Sequence, residues 1–238
     1  MTGGKFELRR FASASELARI AAQEWLQLLA ASADAATPHL AVLSGGRIAR
    51  AFYQELLAST GKQRGLWNRV HFFFADERCV PPGDSESNFF LADTLLFQPL
   101  AIAREKIHRL AGEIEPAAAA RKASEELNSF GQPLDLVILG LGEDGHIASL
   151  FPNAGSPPGW EDSSYFPVDD SPKPPPRRLT LGYGPLVSAR RVWTLVSGAG
   201  KELALTQSTE PHSSTPLGRL IAQREQTVIL TDIQNDIG

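Results

Sequence analysis

Leu134 to Pro152 reads LDLVILGLGEDGHIASLFP, and the fold is decided there. Leu134, Leu136, Val137, Ile138 and Leu139 form a short continuous apolar run, the pattern of a strand buried on both faces of a parallel sheet. Glycines then open a tight turn at the strand's carboxyl end, where open α/β sheets place their ligands. His146 leaves that turn and can reach into a cleft while its backbone stays anchored. Alternatively, the imidazole only satisfies a backbone carbonyl.

Gly140, Gly142 and Gly145 also have the spacing of the dinucleotide fingerprint. That motif needs a following helix long enough to face a pyrophosphate. Pro152 and a proline-rich stretch follow too soon for one, which argues against a dinucleotide.

With 238 residues, the chain can bury roughly 70–75% of the surface its unfolded form exposes, enough for one domain without staples. A single domain over 1–238 is expected. The net charge of −4 offers no global attraction for nucleic acid or an anionic membrane, so any anion must be met by a local basic pocket. Cys79 is the only cysteine, which excludes an intrachain disulfide and a cysteine-rich metal site; it reads as a small hydrophobe. The opening Met1 to Lys5 lacks the apolar core of a signal peptide, and no apolar run is long enough to span a bilayer. A cytoplasmic, soluble protein, with no nucleic-acid or membrane partner, is expected, acting as a monomer.

Outward from the central stretch, strand and helix signals alternate. Ser13 and Glu16 have capping-box spacing before a helical apolar period that runs to about Ala33. His39 to Leu43 reads as a strand, then Ser44-Gly45-Gly46-Arg47 leads into a helix through Phe52 and Leu56. Trp67 to Asp76 reads as a strand, and Asn88–Phe97 and Pro116–Phe130 as helices, the second with proline in its first turn. Residues 152–176 hold eight prolines and predict a surface loop or lid rather than an element. Beyond them, Arg178–Leu181, Val192–Val196 and Thr227–Leu230 read as strands, with helices starting near Gly200 and Pro216. The predicted fold class is α/β: a single-domain, doubly wound, mostly parallel sheet with helices on both faces.

Polar groups fall at several strand ends. The Gly45-Gly46 turn before a helix offers free amides and a helix dipole to an anion, although such a turn also occurs without a ligand. Arg178 precedes a strand and Lys201 follows one; with Arg47 they suggest a basic pocket for a compact phosphate ester in an acidic protein. Asp76-Glu77-Arg78 ends an apolar strand. Asp76 can orient a histidine or a sugar hydroxyl and Arg78 can meet an anion, or the two can form an ordinary salt bridge. No serine has glycines two residues before and after it, so the nucleophile elbow of esterases is missing and base-activated water is the better hydrolytic reading. Histidines 39, 71, 108 and 212 lack metal-ligand spacing with one another or with His146, and no zinc site is predicted.

LSGGR at 43–47, FFFADERCVPPGDSESNF at 72–89, LDLVILGLGEDGHIASLFP at 134–152, RRLTL at 177–181 and SGAGK at 197–201 resemble, in order and spacing, the 6-phosphogluconolactonases of the pentose phosphate pathway. The resemblance runs from about residue 39 to the end. It implies the Rossmann-like fold of the sugar-phosphate isomerases and hydrolysis of 6-phospho-D-glucono-1,5-lactone, a sugar-phosphate lactone, with no metal and no organic cofactor. The histidine of the DGH motif, taken as general base, maps to His146. Either Asp144 or Asp76 would hold the imidazole. Arg78 or backbone amides of the Gly142–Gly145 turn would stabilise the oxyanion. By analogy with the related isomerases, Gly45, Gly46, Arg47, Arg178 and Lys201 would hold the 6-phosphate. The choice of Arg178 over Arg177 rests on its place directly before Leu179-Thr180.

One departure bears on phosphate affinity: many relatives carry Ser-Thr-Pro or Arg-Thr-Pro after the two glycines, whereas this chain has Arg47-Ile48-Ala49 and lacks that hydroxyl. Two other functions compete. A glucosamine-6-phosphate deaminase would need a glutamate after the DGH turn, where this chain has Ser149-Leu150-Phe151-Pro152. A sugar-phosphate-sensing module would need a DNA-binding segment, and no basic helix-turn-helix precedes residue 39.

Overall fold

Ser13 and Glu16 start the first helix as the capping-box spacing predicts: the Glu16 amide donates to Ser13 Oγ (3.2 Å) and the Ala12 amide to Glu16 Oε2 (2.8 Å). The structure, a computed structural model, describes residues 5–31, 37–152, 159–160 and 162–234. In chain order the elements are β1 (Lys5–Arg10), α1 (Ala14–Ala31), β2 (His39–Leu43), α2 (Arg47–Thr60), β3 (Val70–Phe74) and β4 (Asp76–Arg78). Next come α3 (Asn88–Ala92), a π-helical stretch Asp93–Phe97 that runs into α4 (Gln98–Leu100), α5 (Pro116–Asn128) and β5 (Leu136–Gly140). The chain continues through β6 (Tyr165–Val168), β7 (Arg178–Leu181), α6 (Tyr183–Ser188), β8 (Val192–Val196), α7 (Glu202–Thr209), α8 (Pro216–Gln223) and β9 (Gln226–Thr231).

Six strands form one sheet in the order β1-β9-β8-β5-β2-β3, and every neighbouring pair is parallel. The α/β, doubly wound expectation holds. From β1 to β2 to β3 the chain steps towards one edge; from β3 to β5, β8 and β9 it steps back. Parallel crossovers are right-handed, so the reversal puts α1 and α2, which pack on each other, on one face and the packed pair α7 and α8 on the other. Adjacent strands β2 and β5 thus lead their chains away in opposite directions, and their carboxyl ends flank the crevice of a topological switch point. Leu136 to Leu139 are at most 2% exposed, as expected of a strand covered on both faces.

Three sequence expectations need correction. Trp67 is not in a strand: it lies in a 3-10 turn, Arg64–Arg69, and its ring packs edge-on against Trp25 (5.4 Å between centroids) in the aromatic core. The continuous VHFFFAD strand is in fact two. The Ala75 amide donates to Leu43 O (2.7 Å) in the large sheet, while its carbonyl accepts from the Leu181 amide (2.7 Å), and the chain passes into a second sheet ordered β4-β7-β6. Both pairings there are antiparallel. The 152–176 segment, expected to be a loop, supplies β6, whose Pro167 is tolerated because β6 is an edge strand. Strand β1 and helix α6 were not anticipated, and the predicted end of the first helix at Ala33 lies outside the described residues.

Two partly covered histidines tie the fold to pH. His39 Nε2 accepts from Trp25 Nε1 (3.3 Å), which requires the neutral ring. Burial, opposed by Asp135 and reinforced by Arg69, Arg191 and Arg190, lowers its pKa to about 4. His71 is also lowered to about 4, by burial and then by Lys106 and His108. The unfolded chain takes up these protons near its usual histidine value of about 6.5, whereas the native state resists down to about 4. The unfolded state therefore binds more protons in that window, and stability falls as pH drops through it. Urea unfolding at pH 7, 5.5 and 4.5 should show a steadily lower midpoint; a flat profile would contradict the assignment.

Candidate active site

The crevice between β2 and β5 is a small polar cleft of about 150 Å³, lined among others by Gly45, Gly46, Arg47, Asp76, Arg78, Asn88, Gly142, His146, Arg178 and Lys201. All the predicted site residues except Asp144 line it, and Asp144 is bonded to His146. Larger cavities, of about 380 Å³ beside α1 and about 430 Å³ beside α5 and α6, contain no histidine. The chemistry therefore favours the smaller cleft.

The turn after β5 is closed by its own backbone: the Gly142 amide donates to His146 O (2.8 Å) and the Gly145 amide to Gly142 O (3.1 Å). Gly145 has φ +83°, in the region glycine adopts most readily. A Cβ on Gly142 would lie 2.0 Å from His146 Nδ1, so the imidazole rests against the bare glycine. Its Nδ1 bonds Asp144 Oδ1 and its ring packs on Phe151 at 4.8 Å between centroids. Burial opposes charge on Asp144, but the hydrogen bond and charge of His146 outweigh it and hold the carboxyl at about 2. An ionised Asp144 accepting from Nδ1–H leaves Nε2 as the basic nitrogen. With its side chain 17% exposed, His146 is reachable from the cleft.

The carboxylate bonded to His146 is that of Asp144, and Asp76 is bonded elsewhere. Asp76 Oδ2 accepts from Ser149 Oγ (2.7 Å) and lies 3.8 Å from Arg178 Nη1, while Oδ1 accepts from Asn88 Nδ2 (3.1 Å). Nor does Asp76 pair with Arg78, whose Nη1 donates to Glu86 O (2.8 Å) and pairs with Glu86 Oε2 (3.3 Å). The buried Arg78 Nε–H has no hydrogen-bond partner among the described residues. Of the turn amides that were the other oxyanion-donor alternative, those of Gly142 and Gly145 are engaged within the turn itself.

The small sheet explains this grouping. In the β4–β7 ladder Asp76 stands opposite Thr180 and Arg78 opposite Arg178, and alternation along a strand puts all four on one face. Glu77 points the other way, where its carboxylate accepts the amides of Arg78, Asn88 and Phe89 (each 2.8 Å) and Ser87 Oγ (3.0 Å). Burial pushes the Glu77 carboxyl up against the pull of these bonds.

On the β2 side, Ser44 Oγ donates to Ile138 O (2.8 Å) and Tyr53 Oη to Ser44 O (2.6 Å), which fastens the glycine turn to β5 and α2. A Cβ at Gly45 would sit 1.8 Å from Asn88 Oδ1. Gly46, at φ +95°, precedes α2 without a side-chain cap, so its first-turn amides are not satisfied by a cap. Lys201 directly precedes α7, and burial, then Arg47, lowers its pKa. Arg178 lines the cleft, and its Nε and Nη2 donate to backbone carbonyls. Sequence reasoning did not assign Asn88 a role, although the Ser87-Asn88 pair within the 72–89 motif was the available signal.

A profile of the glucosamine-6-phosphate isomerases/6-phosphogluconolactonase family matches residues 12–229. The chain belongs to that family. Within it, the chain is 36% identical to the 6-phosphogluconolactonase of Mycobacterium tuberculosis over 208 residues, covering 81% of this chain and 82% of that protein. The solved 6-phosphogluconolactonase of Shewanella baltica superposes with a TM-score of 0.81 at 26% identity, covering 95% and 97% of the two chains. A monomeric glucosamine-6-phosphate deaminase gives a TM-score of 0.77 at 20% identity, covering 95% and 97%, a likeness of fold alone.

Gly142→Ala puts a methyl where the imidazole lies. Displacing a catalytic group by about 1 Å can cost about 10²-fold, so kcat of this variant should fall by about that factor with KM little changed. Steady-state kinetics of the folded variant check this, and unchanged kcat would show that the ring does not need this seat.

Proposed function

We propose that this protein hydrolyses 6-phospho-D-glucono-1,5-lactone to 6-phospho-D-gluconate, the lactonase step of the oxidative pentose phosphate pathway. The observation that carries this reading is the Asp144–His146 pair at the switch point, set among the cations of one polar cleft. His146 Nε2 takes a proton from water as the water oxygen attacks the lactone carbonyl. Arg78, which lines the cleft, meets the developing oxyanion. When the tetrahedral intermediate collapses, the bond from the carbonyl carbon to the ring oxygen breaks and His146 returns the proton to that oxygen. The new carboxylic acid then ionises, releasing one proton per turnover on the order of 1:1 near neutral pH.

The 6-phosphate is placed at the Gly45-Gly46 turn, the start of α2, Arg47 and Lys201. These groups combine helix amides with positive charge, which suits a dianion. Against a deaminase, position 149 is a serine whose hydroxyl is bonded to Asp76, so the acid needed for ring opening and amine isomerisation is not at that position. All these groups come from one chain, so a monomer suffices.

Proton release from freshly generated 6-phosphogluconolactone in weak buffer, corrected for spontaneous hydrolysis, tests the reading. Wild-type protein should accelerate release and His146→Ala should lower kcat by about 10²–10⁴-fold. Asp144→Asn should lower kcat more than it changes KM, whereas Asp76→Asn should not produce that pattern. Binding of 6-phosphogluconate without any turnover of the lactone would instead support a sensing module.

A further inference from the structure

Asn88 is only 3% exposed, lines the cleft with Gly45 and Asp76 and has no part in the steps above. Its place is fixed at both backbone and side chain. The Asn88 amide donates to the buried Glu77 carboxylate (2.8 Å), and Nδ2 donates to Asp76 O (2.9 Å) and Asp76 Oδ1 (3.1 Å). These contacts decide which way round the side-chain amide lies. Asp76 O is a carbonyl oxygen and can only accept, so the NH2 group must face Asp76 and Oδ1 must take the other side.

On that other side is Gly45. A Cβ there would stand 1.8 Å from Asn88 Oδ1 and 2.5 Å from its Cγ, so the bare glycine leaves room for the amide oxygen beside the turn. Oδ1 accepts no hydrogen bond from any described residue, and it is not sealed from solvent as Arg78 Nε is. A largely buried acceptor without a donor is costly, and the cleft is the side from which a donor can come.

The chemistry of an acceptor selects its ligand group. A phosphate dianion, a lactone carbonyl and a ring oxygen offer only lone pairs and gain nothing from Oδ1. The donors of 6-phospho-D-glucono-1,5-lactone are its hydroxyls on C2, C3 and C4. Asn88 touches both Gly45, of the turn that leads into α2, and Asp76, of the strand that carries Arg78. A hydroxyl of the ring, between the phosphate and the carbonyl of the substrate, is what such a position can meet.

We propose that Asn88 is a substrate-binding residue that determines specificity, its Oδ1 accepting a hydrogen bond from one ring hydroxyl of the lactone. This rests on the lactonase reading above and adds recognition of the sugar to recognition of its phosphate. Gly45 gains a second task, because its missing side chain admits the oxygen.

The test compares substrates as well as proteins. The proton-release assay gives kcat/KM of wild type and Asn88→Ala for 6-phosphogluconolactone and for its 2-deoxy, 3-deoxy and 4-deoxy analogues, with spontaneous hydrolysis subtracted. Wild type should disfavour one analogue by about 10-fold or more, and in Asn88→Ala that preference for the parent lactone should shrink by about the same factor. The Nδ2 bonds to Asp76 are lost with every substrate, so their effect is common to all the lactones and cancels in the ratio. An equal loss on every lactone would overturn the assignment and make Asn88 a holder of Asp76 alone, and no loss on any of them would overturn it as well. If wild type does not discriminate against any of the analogues, the assignment falls whether or not the variant folds. Each of these results, with wild type active on the parent lactone, leaves the lactonase reading standing; a folded wild type that turns over none of the lactones removes both.

Discussion

Strands β2 and β5 are hydrogen-bonded neighbours whose chains leave in opposite directions, and the remaining features of the site depend on that divergence. Had both strands continued the same way, a crossover would cover the crevice between their carboxyl ends. Because they diverge, two glycine turns face each other across a gap. One turn carries the start of α2 and the other carries His146. Ser44, bonded to Ile138 O across the two strands, keeps those turns in register.

A second constraint acts at Ala75. Its amide belongs to the large sheet and its carbonyl to the small one, so the residue after it begins a new ladder with its own facing pattern. The consequence is chemical. Asp76 and Arg78 come to one face with Thr180 and Arg178, while the intervening Glu77 turns away to fasten Asn88 and the start of α3. A three-residue strand thus divides its side chains between lining the cleft and building its wall. Asp76 serves as a hub for Ser149, Asn88 and Arg178, and a carboxylate with those partners is not available to a histidine.

The electrostatics separate two tasks. Asp144 and His146 form a close acid–base pair. The pair sits against a bare glycine, where a Cβ would collide with the ring. Positive charge is gathered around it from loops far apart in sequence: Arg47 after β2, Arg78 and Arg178 from the small sheet and Lys201 after β8. In a protein of net charge −4, this local excess offers an anion the attraction that the global charge does not.

Sequence alone determined the elements that carry a strong local signal. The apolar run of β5, the capping box of α1, the glycine turns and the DGH motif were legible because period, cap chemistry and backbone freedom are properties of neighbouring residues. The place of His146 on the turn that ends β5 was readable for the same reason, and its bond to Asp144, two residues away, was one of two alternatives that the reading left open. Tertiary structure decided what depends on partners distant in the chain. It split VHFFFAD between two sheets, drew a strand out of the proline-rich segment, committed the Gly142 and Gly145 amides to their own turn and assigned Asp76 to Ser149 and Arg178. It also gave Arg178 three backbone carbonyls to bond. The physical reason is common to these cases: a hydrogen-bonding group takes the partner that burial leaves within reach, and which partner that is depends on how the sheets and loops pack.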